Sequence, residues 1–159
     1  MHQRKLIALS AAIIFLAGVT TLQARVFTDA ASRVKVNTPR GWKAKASGTD
    51  LEVSSPDDLV NILFHVSSEG KMDKALDEAE KELRKNLKNI KAGKEQTGTH
   101  RGMPYVELEG SGTIEGVRVT WGVTVLMAKK PVIIMYIFLP GWKKHGRAVA
   151  KFAQSVQRY

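Results

Sequence analysis

Three histidines, two neighbouring glutamates and two tryptophan corners are the residues of this chain whose types and spacing could do chemistry. His65, His100 and His145 are far apart in sequence, and none sits in an HxH or HExxH arrangement, so no metal-ligand spacing is present. Glu107 and Glu109 alternate along a strand-like run with Tyr105, on one face, from which they could approach His65 across a sheet. An imidazole beside two carboxylates would do acid/base work, the chemistry of a hydrolase. The competing reading is a row of polar groups on a solvent-facing strand. "GSG" at Gly110 to Gly112 ends a strand rather than opening a helix, unlike a hydrolase elbow. The glycine-rich stretches lack the lysine and helix of a phosphate loop. No catalytic residue, metal ligand or cofactor is assigned on these grounds.

The corners are "TPRGWKAK" at Thr38 to Lys45 and "FLPGWKKH" at Phe138 to His145. The residues after them differ, strand-like beyond the first and helical beyond the second, so they are not a repeat. In each, a proline ends a strand, a glycine lets the backbone turn and a tryptophan covers the edge of the core. Lysines flank both indoles. The functional reading is an aromatic anchor in a basic rim, formed by Trp42, Lys43, Trp142, Lys143 and Lys144.

The elements that position these residues follow from periodicity. "RVKVNTP" alternates as a half-buried strand; "WKAKA" and "DLEVSS" form a hairpin about "SGTD"; "SPDD" is a turn; "LVNILFHVS" puts Val60, Ile62, Phe64 and Val66 on one face. From Met72 the period becomes helical through Leu76, Ala79, Leu83, Leu87 and Ile90, with Gly93 as the stop. Asp77 with Lys81 and Glu80 with Arg84 stand at supportive spacing, and Lys85, Lys88 and Lys91 gather at the carbonyl end. Four strand-like runs come next, separated by "HRGMP", "TIEG" and "AKKP". "VIIMYIFL" is apolar on both sides, which predicts a central strand covered above and below. A last helix carries Val149, Phe152, Val156 and Tyr159. The expected fold is α+β: an antiparallel sheet of about six to eight strands with a long amphipathic helix and a C-terminal helix packed on it.

Compartment is read from the N-terminus. "MHQRK", an apolar run from Leu6 to Val19 and "TTLQA" have the three parts of a secretory signal, with cleavage expected after Ala24. The alternative is an uncleaved anchor, since the apolar stretch approaches the ~20 residues of a spanning helix. Cleavage leaves residues 25–159 as a single domain, large enough for one core. The chain has no cysteine, which excludes disulfides, thiolate metal sites, a cysteine nucleophile and a lipoprotein anchor. Its formal charge of +10 falls to +8 when Arg4 and Lys5 leave with the signal. That surface favours anionic partners, or serves only solubility. Nucleic acid would suit the charge but not export, and no aromatic-basic strand signature is present.

"VKVNTPRGWKAKA", "LEVSSPDD", "NILFHV", the charged helix, "GMPYVELEGSG", "WGVTVLMAKKPVIIMYIF" and the closing "FAQSVQR" together resemble the PsbP and Mog family of folds, including the bacterial DcrB-like periplasmic domains. The resemblance spans the expected mature chain and rests on element order and the Pro-x-Gly-Trp corner of Pro39, Gly41 and Trp42. It implies an α+β sandwich and a non-enzymatic binding module, since such relatives include an extrinsic photosystem subunit, a nuclear transport factor, envelope proteins and chaperones. Unlike DcrB-like lipoproteins, this chain has no cysteine after its signal, so the resemblance implies a protein free in the periplasm or secreted.

The leading expectation is therefore an exported binding protein that engages another envelope or secreted protein as assembly factor, chaperone or inhibitor. A second reading is a basic protein bound to anionic lipid or polysaccharide. A third is a hydrolase built on His65 with Glu107 or Glu109.

Overall fold

The computed structural model describes residues 24–159, so the signal peptide expected before Arg25 lies, but for Ala24, outside the described residues. In chain order the elements are β1 (Val26–Asp29), β2 (Val34–Asn37), β3 (Lys43–Ser47), β4 (Asp50–Ser54), β5 (Val60–Val66), α1 (Met72–Asn86), β6 (Lys88–Ala92), β7 (Gln96–His100), β8 (Met103–Ile114), β9 (Val117–Met127), β10 (Pro131–Phe138), a 3-10 turn (Trp142–His145), α2 (Gly146–Ser155) and β11 (Gln157–Arg158). The fold is α+β and its strand pairs are antiparallel.

The main sheet has eight strands in the order β3-β4-β5-β10-β9-β8-β6, with β7 also paired to β8. Its centre is β10, whose "VIIMYIF" run is apolar on both sides and buried from Val132 to Tyr136. Alternation divides that run between two cores. Val132, Ile134 and Tyr136 join Ile62, Phe64 and Leu126 beneath α2 and a second sheet, while Ile133 and Met135 join Trp121, Val123 and Val125 beneath α1. The second sheet, β1-β2-β11, is an addition to the expected architecture. Only β2 is legible there, because β1 is four residues long with half of them exposed and β11 is two residues long.

Two helix ends differ from expectation. The α1 stripe does not run to Ile90: the helix stops at Asn86, Leu87 is extended, and Lys88–Ala92 form β6 against β8. Asn86 Nδ2 donates to the Glu82 carbonyl at 3.0 Å, supplying a local terminus. The outer edge of β8 then offers open backbone partners, and sheet pairing outcompetes one more helical turn. Lys88 and Lys91 thus lie on a strand, and Gly93 donates to the Glu109 carbonyl at 2.7 Å rather than capping a helix. Along α1, Glu80 pairs with Arg84 at 2.7 Å, whereas Asp77 meets Lys74 and not Lys81. At the C-terminus, Ser155 Oγ donates to the Phe152 carbonyl and accepts from the Asn37 N–H, which closes α2. Val156 is buried by extended backbone, and Tyr159 is 49% exposed outside the helix.

Candidate functional site

The two corners share one backbone solution. The Trp42 N–H donates to the Pro39 carbonyl at 3.3 Å and the Trp142 N–H to the Leu139 carbonyl at 3.1 Å. Gly41 at φ 81° and Gly141 at φ 92° occupy the left-handed third position of these turns, which glycine adopts without Cβ strain. Proline holds the first position of one turn and the second of the other.

Folding brings them side by side around the turn between β4 and β5. Asp57 Oδ2 accepts from Lys144 Nζ at 2.7 Å, and its Oδ1 from Ser55 Oγ at 2.8 Å and His145 Nε2 at 2.9 Å. Asp58 pairs with Lys43 at 2.8 Å. The His145 ring meets Trp42 edge-on at 5.5 Å, and Trp142 stacks on Phe138 at 4.2 Å. Trp42, Lys43, Trp142, Lys143 and Lys144 therefore lie in one neighbourhood. Both indoles are half-buried against the core. Lys43 and Lys144 are tied to aspartates, while Lys143 is exposed with no ion pair among the described residues. The hub that joins the corners, Asp57 with His145, is absent from the expected site. "SPDD" read as a turn, and only the proximity of two lysines across the fold makes its carboxylates informative.

Lys144, opposed by partial desolvation and helped by Ser55, His145 and the Leu59 N–H, holds the Asp57 carboxyl well below the usual carboxylate range. A depressed folded value means its contribution is present above the ordinary aspartate pKa near 4 and is lost as pH falls through the lower folded one. Asp57→Asn is expected to lower the melting temperature at pH 7 and alter tryptophan emission, as His145 and Trp42 separate. Asp58→Asn, which removes one exposed pair, should leave both unchanged. Equal behaviour of the two variants would remove Asp57 from its role as a hub.

The expected meeting of His65 with Glu107 and Glu109 does not occur. His65 is in register with Ile133, Ile133 with Val125 and Val125 with Val106. Glu107 and Glu109 are one step out of phase with this row and occupy the opposite face of the sheet. His65 instead lies between Asp50, 2.6 Å from Nδ1, and Glu78 of α1, 2.7 Å from Nε2. Ser67 Oγ donates to the other Glu78 oxygen at 2.6 Å. With both ring nitrogens engaged by carboxylates, this imidazole clamps the β3–β4 hairpin to α1.

Glu107 and Glu109 face a groove of about 790 Å³ between the main sheet and α2. Tyr136 and Phe138 line it at a centroid separation of 5.9 Å, and Trp142 continues the row. Burial, then the neighbouring Glu109 charge, raises the Glu107 pKa; burial, then Glu107, raises that of Tyr136. Among the described residues, no group of His, Cys, Asp and Glu side chains is arranged to hold a metal ion, and no helix is long and apolar enough to cross a membrane.

No protein-family model matches the sequence, and no curated protein does. Solved structures do match. Cyanobacterial PsbP (CyanoP) from Synechocystis sp. PCC 6803 superposes with a TM-score of 0.59 at 13% identity, over 89% of this chain and 96% of its own. The chain has a PsbP-like fold. Two further structures resemble this PsbP-like chain. LpqN, involved in cell envelope biogenesis of Mycobacterium tuberculosis, matches with a TM-score of 0.56 at 17% identity, over 85% of this chain and 90% of its own. PA94 of Pseudomonas aeruginosa, a protein of unknown function, matches with a TM-score of 0.54 at 13% identity, over 86% and 97%. In the PsbP-like frame the Pro-x-Gly-Trp corner is a junction between strands, and the groove lies beneath the last helix.

Proposed function

We propose that this PsbP-like protein is an exported, non-enzymatic binding module that engages another protein of the cell envelope or secretion pathway, as assembly factor, chaperone or inhibitor. The observation that carries the reading is the convergence of two distant Gly-Trp-Lys corners into one aromatic and basic surface around Asp57. Aromatic side chains anchored in a polar rim are the usual chemistry of a protein-binding hot spot. Structural likeness to LpqN, involved in cell envelope biogenesis, and the signal-like N-terminus support the compartment.

Lys143 is the position to test, because it is exposed, adjoins Trp142 and holds no structural pair among the described residues. A photo-crosslinking residue placed there, in intact envelopes of the native cell, is expected to yield one dominant protein adduct. The same residue at Lys81 on α1 should not, and Lys143→Glu should deplete the native complex several-fold without shifting the melting temperature. No adduct at position 143, or equal adducts at both positions, would overturn the reading.

A further inference from the structure

The groove under α2 is independent of the corner surface except at Trp142, and its chemistry is opposite in sign to the rest of the molecule. The chain carries 25 lysines and arginines, yet none lines this space. Its charged lining is Glu107 and Glu109, which stand two residues apart on β8, so their Cα atoms are about 7 Å apart on one face. Neither carboxylate has a hydrogen bond or ion pair among the described residues. A second observation points to a ligand. Tyr136 is only 8% exposed, and its hydroxyl makes no hydrogen bond among the described residues. Ser32 Oγ is the one sealed side-chain polar atom without a partner among those residues, so Tyr136 Oη opens to the groove. Buried polar groups are ordinarily paired.

We propose that the groove binds an organic cation, an alkylammonium on an apolar body, with the ammonium held by Glu107 and Glu109 and the body laid along Tyr136, Phe138 and Trp142. The three rings form a continuous row, Tyr136 on Phe138 at 13° and Phe138 on Trp142 at 28° between planes. Aromatic faces attract cations through their quadrupole, and the effect grows where water is excluded. The volume of about 790 Å³ lies within the range of small-molecule sites. A cation also relieves the repulsion between the two glutamates and restores the charge that burial of Glu107 disfavours. Tyr136 Oη remains to hydrogen-bond a polar substituent next to the charge. This site goes beyond the protein-binding reading and does not depend on it.

The test is calorimetric titration of the whole protein with hexyltrimethylammonium, compared with 1-hexanol and hexanoate, which carry the same chain with no charge and with the opposite one. Hexyltrimethylammonium is expected to bind saturably, at least about tenfold more tightly than hexanol, and hexanoate not at all. The double variant Glu107→Gln/Glu109→Gln should lose about tenfold or more in affinity for the cation and keep its affinity for hexanol. Thr124 is in register with Glu107, so Thr124→Lys places an internal ammonium at the site and should abolish binding. Equal affinity for hexyltrimethylammonium and hexanol overturns the proposal, as does undiminished cation binding by the glutamine variant. If that variant fails to fold, Thr124→Lys decides: loss of binding supports the site and retention removes it. Crosslinking at Lys143 should be unaffected by the glutamine changes, so failure here and failure of the protein-binding reading are separately visible.

Discussion

Gly110→Ala is expected to destabilise the protein by about 2–4 kcal/mol, a large effect for one methyl group. Gly110 sits on β8 in register with Trp121 on one side and with Ala92 of β6 on the other. A Cβ there would run into the Lys91 carbonyl oxygen and the six-membered ring of the Trp121 indole. Neither neighbour can yield easily. Lys91 belongs to the paired edge strand, and Trp121 is 3% exposed with Nε1–H donating to the Ser111 carbonyl at 3.0 Å. Relief requires β6 to peel from β8 or the indole to leave the core beneath α1, and either exposes apolar area. A comparison at Gly116, whose φ is 82° and whose Cβ would meet nothing, isolates turn strain from crowding. That variant should lose about 1 kcal/mol. Urea unfolding of both proteins measures the difference, and a Gly110→Ala protein as stable as the parent would show that Trp121 does not lie against this backbone.

The second large effect is a pH dependence centred on His65. Burial disfavours its charged form, but the paired carboxylates of Asp50 and Glu78 outweigh that and raise its pKa above the ordinary histidine value. For a group whose folded value is raised, the stabilisation is fully present below the unfolded pKa, near 6.5, and is lost as pH rises through the folded one. The melting temperature of the parent should therefore fall relative to His65→Gln as pH is raised from about 6 into the alkaline range. At pH 6 the variant is expected to lose about 1–2 kcal/mol, a figure already reduced because Asp50 is 44% exposed. The two proteins should converge at high pH, where the neutral imidazole holds only one carboxylate well. Parallel melting curves across the range would mean that His65 does not act as a charged clamp.

Much of this molecule is legible in the sequence where periodicity and burial are the same thing. The alternation of "LVNILFHV" and the all-apolar "VIIMYIF" specify β5 and the central β10, because a strand's side chains take opposite faces whatever surrounds them. The proline and glycine of each corner specify a turn, since only glycine enters the left-handed region without strain there. The stripe of α1 is equally local, as far as Asn86.

Contacts between distant segments set the rest. Ile90 and Val156 satisfy helical spacing, yet both fall on extended backbone, because the free edges of β8 and β2 lie within reach of Lys88–Ala92 and Gln157–Arg158 and supply hydrogen bonds that a fraying helix end does not. Register decided the chemistry. A shift of one residue across β10 and β9 separates His65 from Glu107 and Glu109 and gives each its own face, one clamped to α1 and the other open beneath α2. The same folding gathers Trp42, Asp57 and His145 from three separate stretches. Local neighbours are enough to set β2 to β5, β7 to β10, the helix stripe and the two turns, but not β1, β6 or β11. Which faces, charges and corners meet was decided by pairing between distant strands, and that is information no local pattern holds.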